Sequence, residues 1–143
     1  PVTDVRMTRF MITLDQSVQL VWSAIFEMHG GEIFVKKIPS MNIIEIARAI
    51  SQEAKIKVVG IRPGEKIHEQ MIGLEDAPYT FEYKDYFKIL PALYGWSKDR
   101  VRIGEGKKVA ENFIYDSLSN KDYMTSKQLK NWLYTNLINK YKL

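Results

Sequence analysis

The residues with the most obvious chemistry are 60–69, Gly-Ile-Arg-Pro-Gly-Glu-Lys-Ile-His-Glu. We expect Arg62 to stand at the end of a strand, followed by the Pro63–Gly64 turn and a helix that begins at Glu65. Helix N-termini attract anions, and the planar guanidinium of Arg62 can hold two phosphate oxygens at once. A plain turn with a surface Arg62–Glu65 pair explains the same pattern. The residue types by themselves leave both interpretations open.

Two other segments carry groups that suit a polar ligand. Residues 3–10 contain two arginines, two threonines and one aspartate, which can line a pocket or simply be solvated. Residues 112–120, Asn-Phe-Ile-Tyr-Asp-Ser-Leu-Ser-Asn, offer hydroxyl and amide groups suited to a sugar. The same Ser/Asn composition is typical of the turns that precede helices, so this segment also has two interpretations.

Several common chemistries have no signature in this sequence. The chain has no cysteine, and His29 and His68 do not have the spacing of a metal-ligand pair, so we predict no metal site. His29 is better explained as a cation at a helix C-terminus. We find no Gly-x-Gly-x-x-Gly motif, no P-loop and no nucleophile elbow around a serine. We therefore assign no catalytic residue and no nucleotide-cofactor cradle to this chain.

Composition predicts one folded domain over residues 1–143, because 45% of the residues are hydrophobic and 27% are charged. No apolar run is long enough for a membrane span and no signal peptide opens the chain, so we expect a cytoplasmic protein with no membrane partner. The net charge is +4, and residues 98–143 carry ten basic and five acidic groups. Such a segment can bind nucleic acid or be a solvated lysine-rich surface. Because Pro1 stands where a Met is expected, we predict that sequence was cut away upstream or that a short tag was removed.

The first half of the chain predicts alternating helices and strands. Thr13 and Gln16 form a capping box for a helix whose last turn holds His29. The apolar face of this helix consists of Leu14, Val18, Val21, Trp22, Ile25 and Phe26. A strand over 32–36 follows, and then a second helix over 41–50, capped by Ser40. This second helix is apolar on so much of its surface that we expect it to lie between two layers.

The second half continues the pattern. We predict a strand over 55–61, a short helix over 65–72 and an extended segment over 79–90, which is one strand or a strand with a bend. Residues 95–112 hold three glycines and many lysines and predict a mobile loop. A capping box at Thr125 opens a last helix, whose apolar face consists of Leu129, Trp132, Leu133 and Leu137. The whole order indicates a small α/β fold.

Three segments of the sequence resemble a known family. "PVTDVRMTRFMITLDQSVQLV", "HGGEIFVKKIPSM" and "GIRPGEKIHEQMI" are similar to the C-terminal part of sugar-nucleotide 4,6-dehydratases, and more narrowly of the inverting UDP-N-acetylglucosamine 4,6-dehydratases. These enzymes belong to the extended short-chain dehydrogenase/reductase superfamily. The similarity is dense over residues 1–72 and looser over 73–143, where "NFIYDSLSN" resembles an aromatic-Tyr-Ser-Ser-x-Asn-Asn stretch of the family.

The resemblance implies a substrate-binding role for a small C-terminal α/β domain. It implies that an N-terminal Rossmann domain outside this chain holds NADP and the catalytic Tyr-x-x-x-Lys. By motif, it implies that Thr3 contacts the substrate, Arg62 binds the diphosphate and Glu65 supports the nucleoside. Contacts to sugar or phosphate are implied for the matching positions of the last stretch, which are Tyr115, Ser117 and Asn120. This stretch departs from the family pattern by replacing one Ser and one Asn.

We therefore expect the substrate-binding portion of an enzyme, a lyase, that converts UDP-N-acetylglucosamine to a UDP-4-keto-6-deoxy-hexose with inversion at C5. By the resemblance, the product feeds pseudaminic-acid, capsule or other surface-polysaccharide biosynthesis. The expected partners are the UDP-sugar, the protein's own Rossmann domain and further copies of the enzyme, and the chain alone is expected to be inactive. The alternative is a stand-alone UDP-sugar-binding or regulatory module. A nucleic-acid module is disfavoured because aromatic and basic residues do not alternate on a strand.

Overall fold

The structure, a computed structural model, describes residues 1–138 as a small α/β fold of short helices and strands. The helices are α1 (Leu14–Glu27), α2 (Ile43–Ile50), α3 (Arg100–Ile103) and α4 (Ser126–Leu133). The strands are β1 (Thr8–Phe10), β2 (Ile33–Lys36), β3 (Ser40–Asn42), β4 (Gln70–Ile72), β5 (Thr80–Glu82), β6 (Tyr86–Ile89), β7 (Lys107–Lys108) and β8 (Tyr115–Asp116). Short 3₁₀ helices cover Ala77–Tyr79 and Leu93–Lys98, and a π-helical turn covers Tyr134–Ile138. This architecture confirms the predicted fold class.

The chain divides into two compact units, each assembled from segments that are distant in sequence. The first unit combines residues 1–11, 38–69 and those from 116 onward. The second unit combines residues 12–37 and 70–115. Because each unit is closed by long-range pairings, neither can be recognised from local sequence patterns alone.

The core of the first unit lies under a two-stranded ladder. Strand β1 pairs antiparallel with β3, and β3 leads directly into α2, which contacts α4. Met41, Met124 and Leu129 are buried at the centre. The partly buried hydrophobic residues packed against them are Met11, Ile46, Ala49, Trp132 and Leu133.

The second unit is built on an antiparallel sheet with strand order β2-β6-β5-β7. The ring of Phe87 on β6 lies 5.1 Å from each of the rings of Phe113 and Tyr115. The neighbouring Lys88 is buried, and its ammonium donates to the carbonyl of Arg102 between the rings of Phe34 and Tyr83. Strands β4 and β8 form a separate two-stranded ladder.

Both predicted capping boxes are confirmed. The amide of Gln16 donates to the Thr13 hydroxyl over 3.2 Å, and Thr125 caps α4 in the same manner. Strand β2 also lies where the sequence predicts it. The first helix ends at Glu27, however, so His29 is not in its last turn, and the amide of His29 donates instead to Glu32. In the last helix, Leu129, Trp132 and Leu133 face the core as predicted, whereas the side chain of Leu137 lies outside the described residues.

The predictions for residues 40–72 are confirmed for the second helix, which covers Ile43–Ile50 of the expected 41–50, and are otherwise largely wrong. Ser40 lies in β3 and does not cap α2. Because residues 40–42 pair with β1, the helix begins only at Ile43, and the side chain of Asn42 caps it by accepting from the amide of Ile44. No residue of α2 is buried, so the helix does not lie between two layers. The expected strand over 55–61 is reduced to one isolated bridge, and residues 65–69 are not helical.

The predictions for residues 79–112 also need correction. The extended segment is a hairpin, β5–β6, in which the amide of Tyr83 donates to the carbonyl of Tyr86. The expected mobile loop contains α3 and β7. Its glycine content reflects packing at one position at least, because a Cβ on Gly106 would lie 2.5 Å from the ring of Tyr83.

None of the helices within residues 1–138 combines the length and the apolar composition needed to cross a bilayer.

Replacing Ser40 with alanine removes a fully buried hydroxyl that has no hydrogen-bond partner among the described residues. We expect S40A to leave the free energy of unfolding unchanged or to raise it by up to about 1 kcal/mol, since the buried hydroxyl is desolvated without compensation. Urea titration followed by circular dichroism measures the change.

Ser117→Ala is the matched control for S40A. The Ser117 hydroxyl is equally buried, but it accepts from the amide of Glu69 over 2.9 Å and lies 2.6 Å from the Thr8 hydroxyl. Its loss leaves buried polar groups unpaired, which costs about 1–3 kcal/mol. Equal losses of stability in the two variants would contradict this account of the two serines.

Candidate functional site

The turn at residues 62–65 is closed by its own backbone and by one carboxylate. The amide of Glu65 donates to the carbonyl of Arg62 over 3.1 Å, and the Glu65 carboxylate accepts from the Arg62 amide over 3.1 Å. Pro63 in the second position and Gly64 with φ +80° in the third are typical of a type II turn. These reciprocal bonds fix the backbone from which the Arg62 side chain extends.

The N-terminal segment binds this turn through a hydroxyl. Thr3 donates to the second carboxylate oxygen of Glu65 over 2.9 Å and also lies 3.0 Å from the sulfur of Met7. The structure thus brings Thr3 to Arg62 and Glu65, from which it is about sixty residues away in the chain. Glu65 is engaged with protein groups on both oxygens, so its visible role is to hold the turn.

Arg62 itself is available to a ligand. It is exposed, and its guanidinium makes no hydrogen bond to any residue in the part of the chain that the structure describes. Because the backbone is fixed and the head group is free, the site presents a planar cation in a defined direction. Such a group binds carboxylates and phosphates in a bidentate manner.

The electrostatics of the turn favour an ionised Glu65. The Arg62 amide and the Thr3 hydroxyl, followed by the positive charges of Arg62 and Arg9, hold the pKa of the Glu65 carboxyl below its ordinary value. At neutral pH the carboxylate therefore accepts both of its hydrogen bonds.

The predicted residues of the 115–120 stretch are placed differently from one another. Ser117 is bound to the 66–69 segment, because its hydroxyl and its backbone both pair with Glu69. Asn120 lies in the first unit, where its side-chain amide donates to the carbonyl of Ile38 over 2.8 Å and to that of Asp122 over 3.2 Å. Tyr115 belongs to the second unit and is buried against Phe87.

Two residues near the turn have roles that the sequence did not indicate. The Thr8 hydroxyl lies 2.8 Å from Nδ1 of His68 and also contacts Ser117. The guanidinium of Arg9 donates to the backbone carbonyls of Lys66 and Ile67. The only signal in the sequence was the density of polar residues over 3–10, which does not distinguish a ligand contact from a structural one.

The carboxylate of Asp4 is hydrogen-bonded to Arg6. Arg6 donates to it from both its guanidinium and its backbone amide, and these bonds lower the pKa of Asp4 to about 2. Within residues 1–138, no cluster of histidine, aspartate and glutamate side chains is arranged to hold a metal ion. The exposed guanidinium of Arg62 is a group that can bind an anion.

Comparisons with known proteins agree with one another. The sequence profile of a family described as "Polysaccharide biosynthesis protein" matches residues 1–91. The UDP-N-acetylglucosamine 4,6-dehydratase (inverting) of Campylobacter jejuni is 43% identical over 134 residues, which cover 90% of this chain and 40% of that protein. A UDP-glucose 4-epimerase of Rickettsia massiliae is 35% identical over 92 residues, which cover 62% of this chain and 27% of that protein.

A solved structure also resembles this chain. The X-ray structure of Pen from Bacillus thuringiensis matches with a TM-score of 0.77 and 27% sequence identity, over 96% of this chain and 40% of that chain. The chain thus spans about two-fifths of the length of the dehydratases and of the solved structure that it matches.

Glu65→Gln should remove a pH-dependent part of the stability of the turn. Because the folded-state pKa of Glu65 is lowered, its carboxylate stabilises the fold above the unfolded-state value of about 4.3, and this contribution is lost as the pH falls through the lower folded-state pKa. Urea unfolding of wild type and E65Q between pH 7 and pH 2 measures the difference. We expect the two curves to converge in acid, and parallel curves over this range would contradict the assignment.

Proposed function

The chain belongs to the family of polysaccharide biosynthesis proteins, and from this premise we propose that it is the substrate-binding portion of an inverting UDP-N-acetylglucosamine 4,6-dehydratase. In this proposal Arg62 binds the diphosphate of the UDP-sugar. The observation that carries the proposal is the exposed guanidinium of Arg62, which has no hydrogen bond to residues 1–138 and extends from a turn whose backbone is held by Glu65. The name of the Campylobacter jejuni relative supports the choice of substrate.

The two oxygens of Glu65 are already engaged within the protein, so we assign it to the support of Arg62 and not to direct contact with the nucleoside. Thr3 supports the turn through Glu65 in the same way. Ser117 and Asn120 shape the surrounding backbone, and their side chains reach the substrate only by exchanging existing bonds. Arg62 is therefore the residue of this set whose substitution should affect binding most directly.

The residues described here do not fit a dinucleotide. The four-stranded sheet is antiparallel throughout, and in residues 1–138 no strand passes through a glycine-rich turn into a helix N-terminus. We therefore derive no step for NADP in this chain and propose that another part of the protein binds it. By this proposal the hydride and proton transfers of the dehydration occur outside the described residues, and this chain contributes the orientation of the sugar nucleotide.

The outer face of α1 is the surface that we propose for contact with that other part. The apolar side chains predicted to share one face of α1 are all exposed: Leu14 73%, Val18 47%, Val21 58%, Trp22 57%, Ile25 50% and Phe26 80%. The opposite, half-buried face is formed mainly by small or polar residues, namely Gln16, Ser17, Leu20, Ser23 and Ala24.

A contiguous apolar patch of this kind is rare on a free surface and marks an interaction site. Full burial of a large apolar side chain contributes about 1.5–3 kcal/mol, so the patch carries a large driving force for contact. The Campylobacter jejuni dehydratase has about 60% of its length outside the match, enough for a second domain. This length supports the remainder of the enzyme as the occupant of the patch.

The binding proposal is tested by calorimetric titration with UDP. We expect the wild-type chain to bind UDP and Arg62→Ala to weaken binding at least about ten-fold, the scale of a lost charge-assisted hydrogen bond. Arg48→Ala is the control, since Arg48 lies in the same unit, is exposed and, among the residues that the structure describes, pairs with Glu45 alone. An equal effect of the two substitutions would contradict the role of Arg62. Full dehydratase turnover by the 143-residue chain with added NADP would contradict the division of labour.

The α1 proposal is tested by co-expression with the part of the Campylobacter jejuni enzyme that the match does not cover. We expect the wild-type chain to co-purify with it and Val21→Lys to abolish co-purification, because a charge would then be buried at the contact. Gln19→Lys on the same helix is the control, since Gln19 is exposed but polar. Both substitutions should change the free energy of unfolding of the chain by less than about 0.5 kcal/mol. Retained binding by V21K would exclude this face as the contact.

A further inference from the structure

The position of the Arg62 turn depends on contacts from outside its own segment. Residues 55–69 contain no helix and only one isolated bridge, so they cannot hold the turn by regular secondary structure. On the upstream side, Val2 forms that bridge, donating to the carbonyl of Lys57 over 2.8 Å and accepting from the amide of Val59 over 2.9 Å. The downstream side needs a separate support.

Arg9 provides the downstream support. Its Nη1 donates to the carbonyl of Ile67 over 3.1 Å and to that of Thr8 over 2.7 Å, and its Nη2 donates to the carbonyl of Lys66 over 3.1 Å. Its Nε lies 3.5 Å from the Glu69 carboxylate. Four partners on one planar fork use most of the donors of a guanidinium, and a lysine ammonium does not match this spread of acceptors.

The two arginines therefore have different tasks although both lie in the first unit. Arg62 is exposed, and its guanidinium has no hydrogen bond to the described residues, whereas the Arg9 side chain is 26% exposed and donates to three main-chain carbonyls. Lys66 and Ile67, which Arg9 holds, directly follow Glu65, whose carboxylate fixes the amide of Arg62. Lys66 is thus linked through its neighbour Glu65 to the backbone at the base of the Arg62 side chain.

We propose that Arg9 is a positioning residue for anion binding: by clamping the carbonyls of residues 66 and 67, it sets the direction in which Arg62 meets the diphosphate of the ligand. This inference rests on the proposed function, and it assigns Arg9 no contact with the ligand. The charge of Arg9 also acts on the Glu65 carboxylate. Arg9→Lys keeps that charge but removes the planar guanidinium. It therefore separates the electrostatic effect on Glu65 from the hydrogen bonds to the carbonyls of residues 66 and 67.

A double-mutant cycle on UDP binding tests the proposal. We expect Arg9→Lys to weaken UDP binding about ten-fold, as expected for the loss of hydrogen bonds from a charged donor. In the Arg62→Ala background the same substitution should change the affinity by less than about two-fold, because residues that act through one another are not additive. Arg48→Lys, an exposed arginine of the same unit, is the control and should have no effect. Additive losses, or unchanged affinity in R9K, would overturn the proposal.

Hydrogen exchange provides a readout that does not depend on UDP. The Glu65 amide donates to Arg62 within the turn, and the Thr8 amide donates to Ile67 beside the clamp. We expect R9K to accelerate exchange of both amides at least about ten-fold by raising the local opening population, while the β2–β6 ladder of the second unit stays protected. Unchanged exchange at Glu65 would overturn the proposal. If the wild-type chain does not bind UDP but R9K still accelerates exchange at Glu65, the proposed ligand is wrong. The role of Arg9 in holding the backbone of residues 66 and 67 is then still supported.

Discussion

The first unit depends on the fact that the backbone of residues 57–69 finds its hydrogen-bond partners in other segments. Main-chain groups of Lys57, Val59 and Ile67 pair with Val2 and Thr8, and those of Glu69 pair with Ser117. These distant segments therefore supply backbone partners that regular secondary structure within residues 57–69 does not provide. The position of the Arg62 turn depends on these contacts, since within residues 61–69 no helix or strand holds it.

The arginines show how the same residue type takes different roles in different surroundings. The head group of Arg62 has no hydrogen bond to the described residues, and that of Arg9 donates to three main-chain carbonyls. In the second unit Arg102 is largely buried, where it pairs with Glu32 over 2.8 Å and stacks on Trp96 at 3.9 Å. The first of these arrangements leaves the whole head group available to a ligand. Structural arginines of this kind explain why a count of basic residues says little about which of them bind anions.

Helix α1 is amphipathic, but its apolar face is not buried within the chain. Its apolar face was predicted correctly from the 3.6-residue period, and its capping box lies at the predicted residues. Within the chain, however, that face is turned outward, and Ser17, Ser23 and Ala24 face inward. Periodicity identifies which side of a helix avoids water, but it does not identify the surface that covers it. In the shorter helix α2, the wide apolar surface predicted a position between two layers, but its residues are at most half-buried.

The amino-acid sequence by itself determined the features that depend on near neighbours: the α/β class, the capped starts of α1 and α4, strand β2 and the turn at Pro63–Gly64. Tertiary structure alone decided that residues 55–69 are neither strand nor helix, because their backbone partners are supplied by residues that are about sixty positions away. It also decided that Glu65 and Ser117 hold the backbone while Arg62 remains free. Local patterns state which groups can form hydrogen bonds. The choice among partners is made when distant segments compete for the same donors and acceptors, and that competition exists only in the folded chain.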